Sequence, residues 1–357
     1  MGLVSRRKVV IGTAAAAAVG AFGSRGRAQD KMPKMKLSLS WIPVGRFAYT
    51  YVAEKLGYWT RRGIDVHVER GFGSGDTCKQ VALGHYEFGL ADFNVMVKTA
   101  SDGLPLTCIA MGCHTSQIGI LSLKDSNIIN PKDLEGKTLA STHGSTDATL
   151  WPGFTAATGI DASKVNIAYM GPELRFRALI DKKVDAIGAS YSTDVPFFLA
   201  QKIPHNLMLY ANYGMGMYST SIITRRDRVQ SNPAQVQAFV EGAMEGLKFT
   251  FLEPEKATDI HLEMVKEYAG EVTDREMIRF GILTNTATSL AKYLETQGLG
   301  YMERELVEAT QEKIAKYQGL KTRLDPSSLY TNQFVGGVRL TADEWRKVYD
   351  SVRSYIL

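Results

Sequence analysis

Cysteine is scarce in this chain and badly spaced for the roles that need it. Only Cys78, Cys108 and Cys113 occur among 357 residues. Three are too few for a disulfide framework, and no Cys-x-x-Cys is present to bind zinc or exchange thiols. A Cys108–Cys113 bridge stays open in an oxidising compartment, while at least two of the three read as buried apolar cysteine. Histidine is equally sparse: residues 67, 85, 114, 143, 205 and 261 show no metal-ligand spacing. No apolar run reaches the length of a bilayer crossing. Neither a nucleophile–base pair nor a ligand cluster stands out, so the expectation is a non-enzyme with no cofactor and no metal.

An excess of one charge is missing too, once the N-terminus is set aside. The chain carries 42 Lys+Arg against 37 Asp+Glu, a formal +5. Residues 1–28 hold Arg6, Arg7, Lys8, Arg25 and Arg27 and no acid, leaving 37 of each sign beyond them. The basic balance that nucleic-acid binding requires is therefore absent from the remainder.

What residues 1–28 do contain is an export address. Ser5-Arg-Arg-Lys8 precedes a soft apolar stretch up to Phe22, then Gly26-Arg-Ala28. A charged start, a short apolar core and a small-residue cut site spell a secretory signal. The paired arginines favour the twin-arginine route over the Sec route. No cysteine adjoins the cut, so the expectation is a soluble periplasmic protein without lipid anchor or membrane span, and a monomer.

From residue 34 onward, short alternating runs and amphipathic stretches take turns. Residues 36–41, 64–70, 88–91 and 106–111 read as strands; 47–59, 78–83 and 95–101 read as helices. The middle repeats the scheme, with strands at 137–140, 165–169, 184–189 and 207–210. Residues 219–224 form a further strand, and nearly everything from 235 to 317 has helical period. This order predicts an α/β fold of two lobes, each a mainly parallel sheet flanked by helices. The expected division is 35–122 plus 220–357 for a discontinuous first lobe and 123–219 for an inserted second. The crossings are expected at 118–123 and 218–223, making a hinge and a cleft for a small ligand.

Three loops share one plan: strand, small polar turn, helix start. They offer Gly73, Ser74, Gly75, Asp76 and Thr77; Ser141, Thr142, His143 and Thr146; and Tyr191 with Asp194. Helix starts present unpaired backbone N–H groups, so converging starts hold polar ligand atoms. The competing role of these side chains is plain helix capping. Gly73-x-Gly75 lacks a following Gly-Lys-Ser/Thr and is no P-loop. Asp76 and Asp194 would repel an anion and suit an amino group or neutral heteroring; Arg46 is the only basic residue near these loops. Trp41 at the end of the first strand and Tyr218 at the hinge supply aromatic faces for a planar ligand, while Trp59 and Trp151 read as packing.

Lys36–Trp41 with Pro43, Glu54-Lys-Leu-Gly-Tyr-Trp59, Gly63-Ile-Asp-Val66 and Gly71–Thr77 resemble substrate-binding proteins of ABC importers. Phe88-Gly-Leu-Ala-Asp92, Pro131-Lys-Asp-Leu-Glu-Gly-Lys137, Val184-Asp-Ala186 and Tyr330-Thr-Asn-Gln-Phe334 continue the likeness in order. The branch most similar binds thiamine-pyrimidine precursors and is related to the taurine and alkanesulfonate binders. The resemblance implies a type II periplasmic-binding-protein fold, a small-molecule ligand stacked on aromatics such as Trp41 and Tyr191, and delivery to an ABC permease and its ATPase. Sulfonate or nitrate is the alternative ligand. Pyrimidine synthases in the same group carry a dense cysteine motif that this chain lacks, which counts against an enzyme.

Overall fold

A computed structural model describes residues 32–268 and 274–356. The export address at residues 1–28 lies outside the described residues. Among the described residues ten strands form two five-stranded sheets. The first contains β1 (Lys34–Ser38), β2 (Asp65–Glu69), β3 (Phe88–Asp92), β4 (Leu106–Met111) and β10 (Thr220–Arg225), in the order β2-β1-β3-β10-β4. The second contains β5 (Ile118–Leu123), β6 (Thr138–Ser141), β7 (Asn166–Tyr169), β8 (Ala186–Ser190) and β9 (His205–Leu209), in the order β7-β6-β8-β5-β9.

Each sheet is parallel except for one strand. β10 runs antiparallel between β3 and β4, and β5 runs antiparallel between β8 and β9. Both are the strands that arrive after the chain changes sheets. β5 pairs on both sides within the second sheet, so the outward crossing occupies residues 112–117 rather than β5 itself. The antiparallel direction has a consequence for function: the N-terminal end of β5 lies beside the C-terminal ends of its neighbours, where open α/β sheets hold ligands.

The fully buried strands β3, β4 and β8 read as continuous apolar or small runs, as strands covered on both faces should. Phe88 of the first sheet and Trp59 of the turn preceding β2 both stack on Phe239 of the helix Pro233–Leu252. Trp59 also donates its indole N–H to the Phe239 carbonyl at 2.9 Å, confirming it as packing. The helix Arg304–Gln318 shares an apolar core with both lobes, its Ile314 clustering with Phe93 of the first and Phe154 of the second.

Two boundaries shift relative to the sequence reading, and both move site residues. β1 stops at Ser38, so Trp41 stands in the turn after the strand, not at its end. The helix expected from residue 78 begins at Ser74, which turns Ser74 to Thr77 from loop into first helical turn. All three cysteines are buried and unbridged. Desolvation pushes the Cys78 and Cys108 thiols up to about 12 and raises Cys113 as well.

Candidate functional site

The turn after β1 carries Ser40, Trp41 and, a few residues on, Arg46. Its position is set by backbone. Gly71 donates its N–H to the Trp41 carbonyl at 3.0 Å and Gly73 to the Ser40 carbonyl at 2.9 Å. A Cβ on Gly71 would collide with the Leu39 carbonyl, so the two turns touch only because residue 71 is glycine. Gly45 lies equally close to the backbone of the helix Arg275–Ser289 at Ile278, which clamps the segment bearing Arg46.

Opposite this wall stand the turn before the helix Thr146–Thr158, the loop after β8, and the helix Pro172–Ile180. The two walls face each other across a cavity partly open to solvent. Gly73, Ser74, Thr146, Asp194 and Trp41 line it, so all three anticipated loops contribute and Trp41 stands at the cleft.

The others stand elsewhere, for reasons visible in their contacts. Tyr191 is buried in the second lobe and donates its hydroxyl to the Tyr355 carbonyl at 2.9 Å. Tyr218 is buried against Phe93 and accepts the Glu303 N–H at 2.8 Å. Thr77 is held by the Leu39 carbonyl at 2.8 Å, and Asp76 accepts from Gln80 one turn along its own helix. Gly75 shares that helix and is not part of the cavity lining. Ser141 is buried under the cavity, donating to Asp147, and Thr142 donates to the Met170 carbonyl. His143 is exposed and stacks on Tyr169, ring centroids 3.8 Å apart.

The lining is more charged than the sequence suggested. It adds Arg46, Asp92, Asp147 and Arg175, all buried, to Asp194. Arg175 pairs with Asp194 at 3.1 Å, and the Ser190 N–H donates to the same carboxylate at 2.6 Å. Burial foremost pushes the Asp194 carboxyl above its ordinary value, with Arg175 pulling the other way. Asp147 reaches its place because a Cβ on Gly188 of β8 would occupy it. Asp92 ends β3 and accepts the Thr146 hydroxyl from the other lobe at 2.6 Å, a hydrogen bond across the cleft.

Arg46 makes no ion pair among the described residues; it donates to the Ser40 hydroxyl at 3.1 Å and lies over the Phe47 ring. Its Nε, the Nε of Arg175 and the Thr193 hydroxyl are buried without a partner, and all three residues line the cavity. Unmet buried donors cost about 1–3 kcal/mol each, so these three are the open hydrogen-bonding positions of the cavity. Among the described residues no group of three or more His, Cys, Asp or Glu could hold a metal.

Arg175 was invisible to periodicity. Its neighbour Leu174 is exposed while Arg175 is 5% exposed, the reverse of what an amphipathic helix would predict. Asp92 left a signal: a charged residue closing a wholly buried strand. Asp147 left a weaker one, in the glycine of β8 that admits it.

Two mixed sheets, crossed twice and meeting at the carboxyl ends of their strands, make up the type II periplasmic-binding-protein fold. The periplasmic aliphatic sulphonate binding protein SsuA of Escherichia coli superposes with a TM-score of 0.65 at 13% identity, over 87% of this chain and 96% of that one. The periplasmic nitrate-binding protein NrtA of Synechocystis PCC 6803 gives 0.60 at 14%, over 92% and 91%. The chain belongs to the NMT1/THI5-like family, whose model matches residues 45–257. It is similar to the riboflavin-binding protein RibY of Chloroflexus aurantiacus, 25% identical over 317 residues, 87% of this chain and 88% of the relative. A 4-amino-5-hydroxymethyl-2-methylpyrimidine phosphate synthase of Legionella pneumophila is 20% identical over 311 residues, 85% of this chain and 92% of the relative. Among the described residues no helix is long and apolar enough to cross a membrane.

Proposed function

We propose that the protein is the extracytoplasmic solute-binding component of an ABC importer, that it binds a planar heterocycle in the cleft, and that it hands this solute to a membrane permease powered by an ATPase. The observation that carries the reading is the mixed character of one cavity. The half-buried Trp41 supplies a ring face, Arg46, Arg175 and Thr193 supply unmet donors, and Asp92 and Asp147 supply acceptors. A heterocycle with carbonyl and amino edges matches all three.

The printed functions of the relatives lend support. RibY is a riboflavin-binding protein and the Legionella relative acts in pyrimidine chemistry, both heteroaromatic. A sulfonate or nitrate would gain from Arg46 and Arg175, but Asp92, Asp147 and Asp194 face the same space and oppose an anion. The thiols are suited to packing and not to thiol chemistry: all are buried, and desolvation holds them protonated at neutral pH. Residues 1–28 would export the chain through the twin-arginine route, and the lobes would divide near the two crossings.

A thermal-shift screen tests the reading. Riboflavin, 4-amino-5-hydroxymethyl-2-methylpyrimidine, taurine and nitrate would each be offered to purified protein. A ligand at 100 times its dissociation constant stabilises by about 2.7 kcal/mol, easily seen as a shift. A heterocycle should produce it; a shift with taurine or nitrate and none with either heterocycle would replace this reading with the oxyanion one.

A further inference from the structure

The cleft does not end at Trp41. A second cavity adjoins the first, and the two share Trp41, Arg175, Thr193 and Asp194 as common wall. Their other linings differ in chemistry. The first is walled mainly by serine, threonine, aspartate and Arg46; the second has Val44, Phe176 and Met277, with a single further charge, Arg70.

Arg70 is fixed relative to Trp41. It directly precedes Gly71, whose N–H is bound to the Trp41 carbonyl, and its guanidinium sits 4.5 Å from the centre of the Phe72 ring. Its Nε is buried without a partner, and it makes no ion pair among the described residues. A chamber whose walls are apolar apart from the Arg175–Asp194 pair, Thr193 and one guanidinium without an ion pair among the described residues, Arg70, fits a flexible tail ending in an oxyanion, because guanidinium binds carboxylate and phosphate by paired N–H donors.

Resting on the heterocycle reading above, we infer that the cleft holds a two-part solute. A planar polar head occupies the first cavity, and a chain passes beside Trp41 and Arg175 to set a terminal carboxylate or phosphate against Arg70. Asp92 and Asp147 line the first cavity alone and disfavour the anionic end there, which orients the solute.

Calorimetry with three probes of one ring family tests this: lumichrome, which has no chain, riboflavin, which adds a polyhydroxylated chain, and FMN, which adds a terminal phosphate. FMN should bind at least tenfold tighter than lumichrome. Arg70→Gln should erase that advantage and leave lumichrome unchanged, while Arg70→Lys keeps part of it; unchanged melting temperatures exclude misfolding. Lumichrome binding as tightly as FMN, or an advantage that survives Arg70→Gln, overturns the two-part solute and leaves the heterocycle reading standing. Failure of all three probes overturns the two-part solute; the heterocycle reading falls with it only if 4-amino-5-hydroxymethyl-2-methylpyrimidine fails to bind as well.

Discussion

The two walls of the cleft are built by different means. On the first lobe, Trp41 and Arg46 are placed by backbone: glycines at 45 and 71 allow main chains to touch, and carbonyls of the turn accept from Gly71 and Gly73. On the second, the wall is a side-chain network in which Arg175, Asp194 and Ser190 hold one another, and Asp147 is steadied by Ser141. The first kind of wall resists change because it is part of the chain's path. The second depends on buried charges, each of which is stable only while its partner remains.

That contrast sets the order of expected effects. Arg175→Met should be the most damaging, since it strands the Asp194 carboxylate in the interior; removing one partner of such a pair costs about 3–5 kcal/mol. Denaturant melts would measure it, and Arg175→Met combined with Asp194→Leu should recover most of the loss. A double variant no more stable than the single one would show that the wall is held by packing instead.

Acid should weaken the first wall by another route. His261 is fully buried and donates its Nε2 proton to the Pro43 carbonyl at 2.9 Å, anchoring the turn that leads to Arg46. Burial lowers its pKa to about 4, below the ordinary 6.5. The folded state therefore favours the neutral ring, so its contribution is complete above pH 6.5 and is lost as pH falls from 6.5 towards 4. That gap corresponds to ~3 kcal/mol. His114, lowered to about 3 by burial, acts in the same direction. Stability curves across this window should fall with acid, and less steeply in His261→Gln; equal slopes would remove His261 as the cause.

Thr146→Val touches both walls at once and should do least. It deletes the hydroxyl given to Asp92 across the cleft, with a cost of about 1 kcal/mol. Small-angle scattering of ligand-free protein should show a larger radius of gyration in the variant. An unchanged radius would mean that this hydrogen bond does not hold the lobes together.

The same contrast explains what could be read from the sequence. Strand alternation, the helix starts and the glycine-rich turns are local, and they located three of the loops and Trp41. The side chains that complete the site are set by distant partners. Tyr191 has the surroundings of a cleft residue in sequence, yet its hydroxyl finds the carbonyl of Tyr355, 164 positions away. Tyr218 is likewise held by Tyr293 and Glu303. Arg175 breaks its helix's polarity pattern to reach Asp194, and no spacing rule predicts that. Asp76 has the charge to oppose an anion near Arg46, but one turn of extra helix at Ser74–Ala82 pairs it with Gln80 instead.

The central claim is that Trp41 provides a face for a planar solute held between the lobes. Calorimetric titration of the heterocycle that stabilises the parent protein, repeated on Trp41→Ala, tests it most directly. Truncating a large aromatic at a buried contact costs about 3 kcal/mol, so affinity should fall roughly a hundredfold at an unchanged melting temperature. A folded Trp41→Ala variant that binds as tightly as the parent would contradict the account.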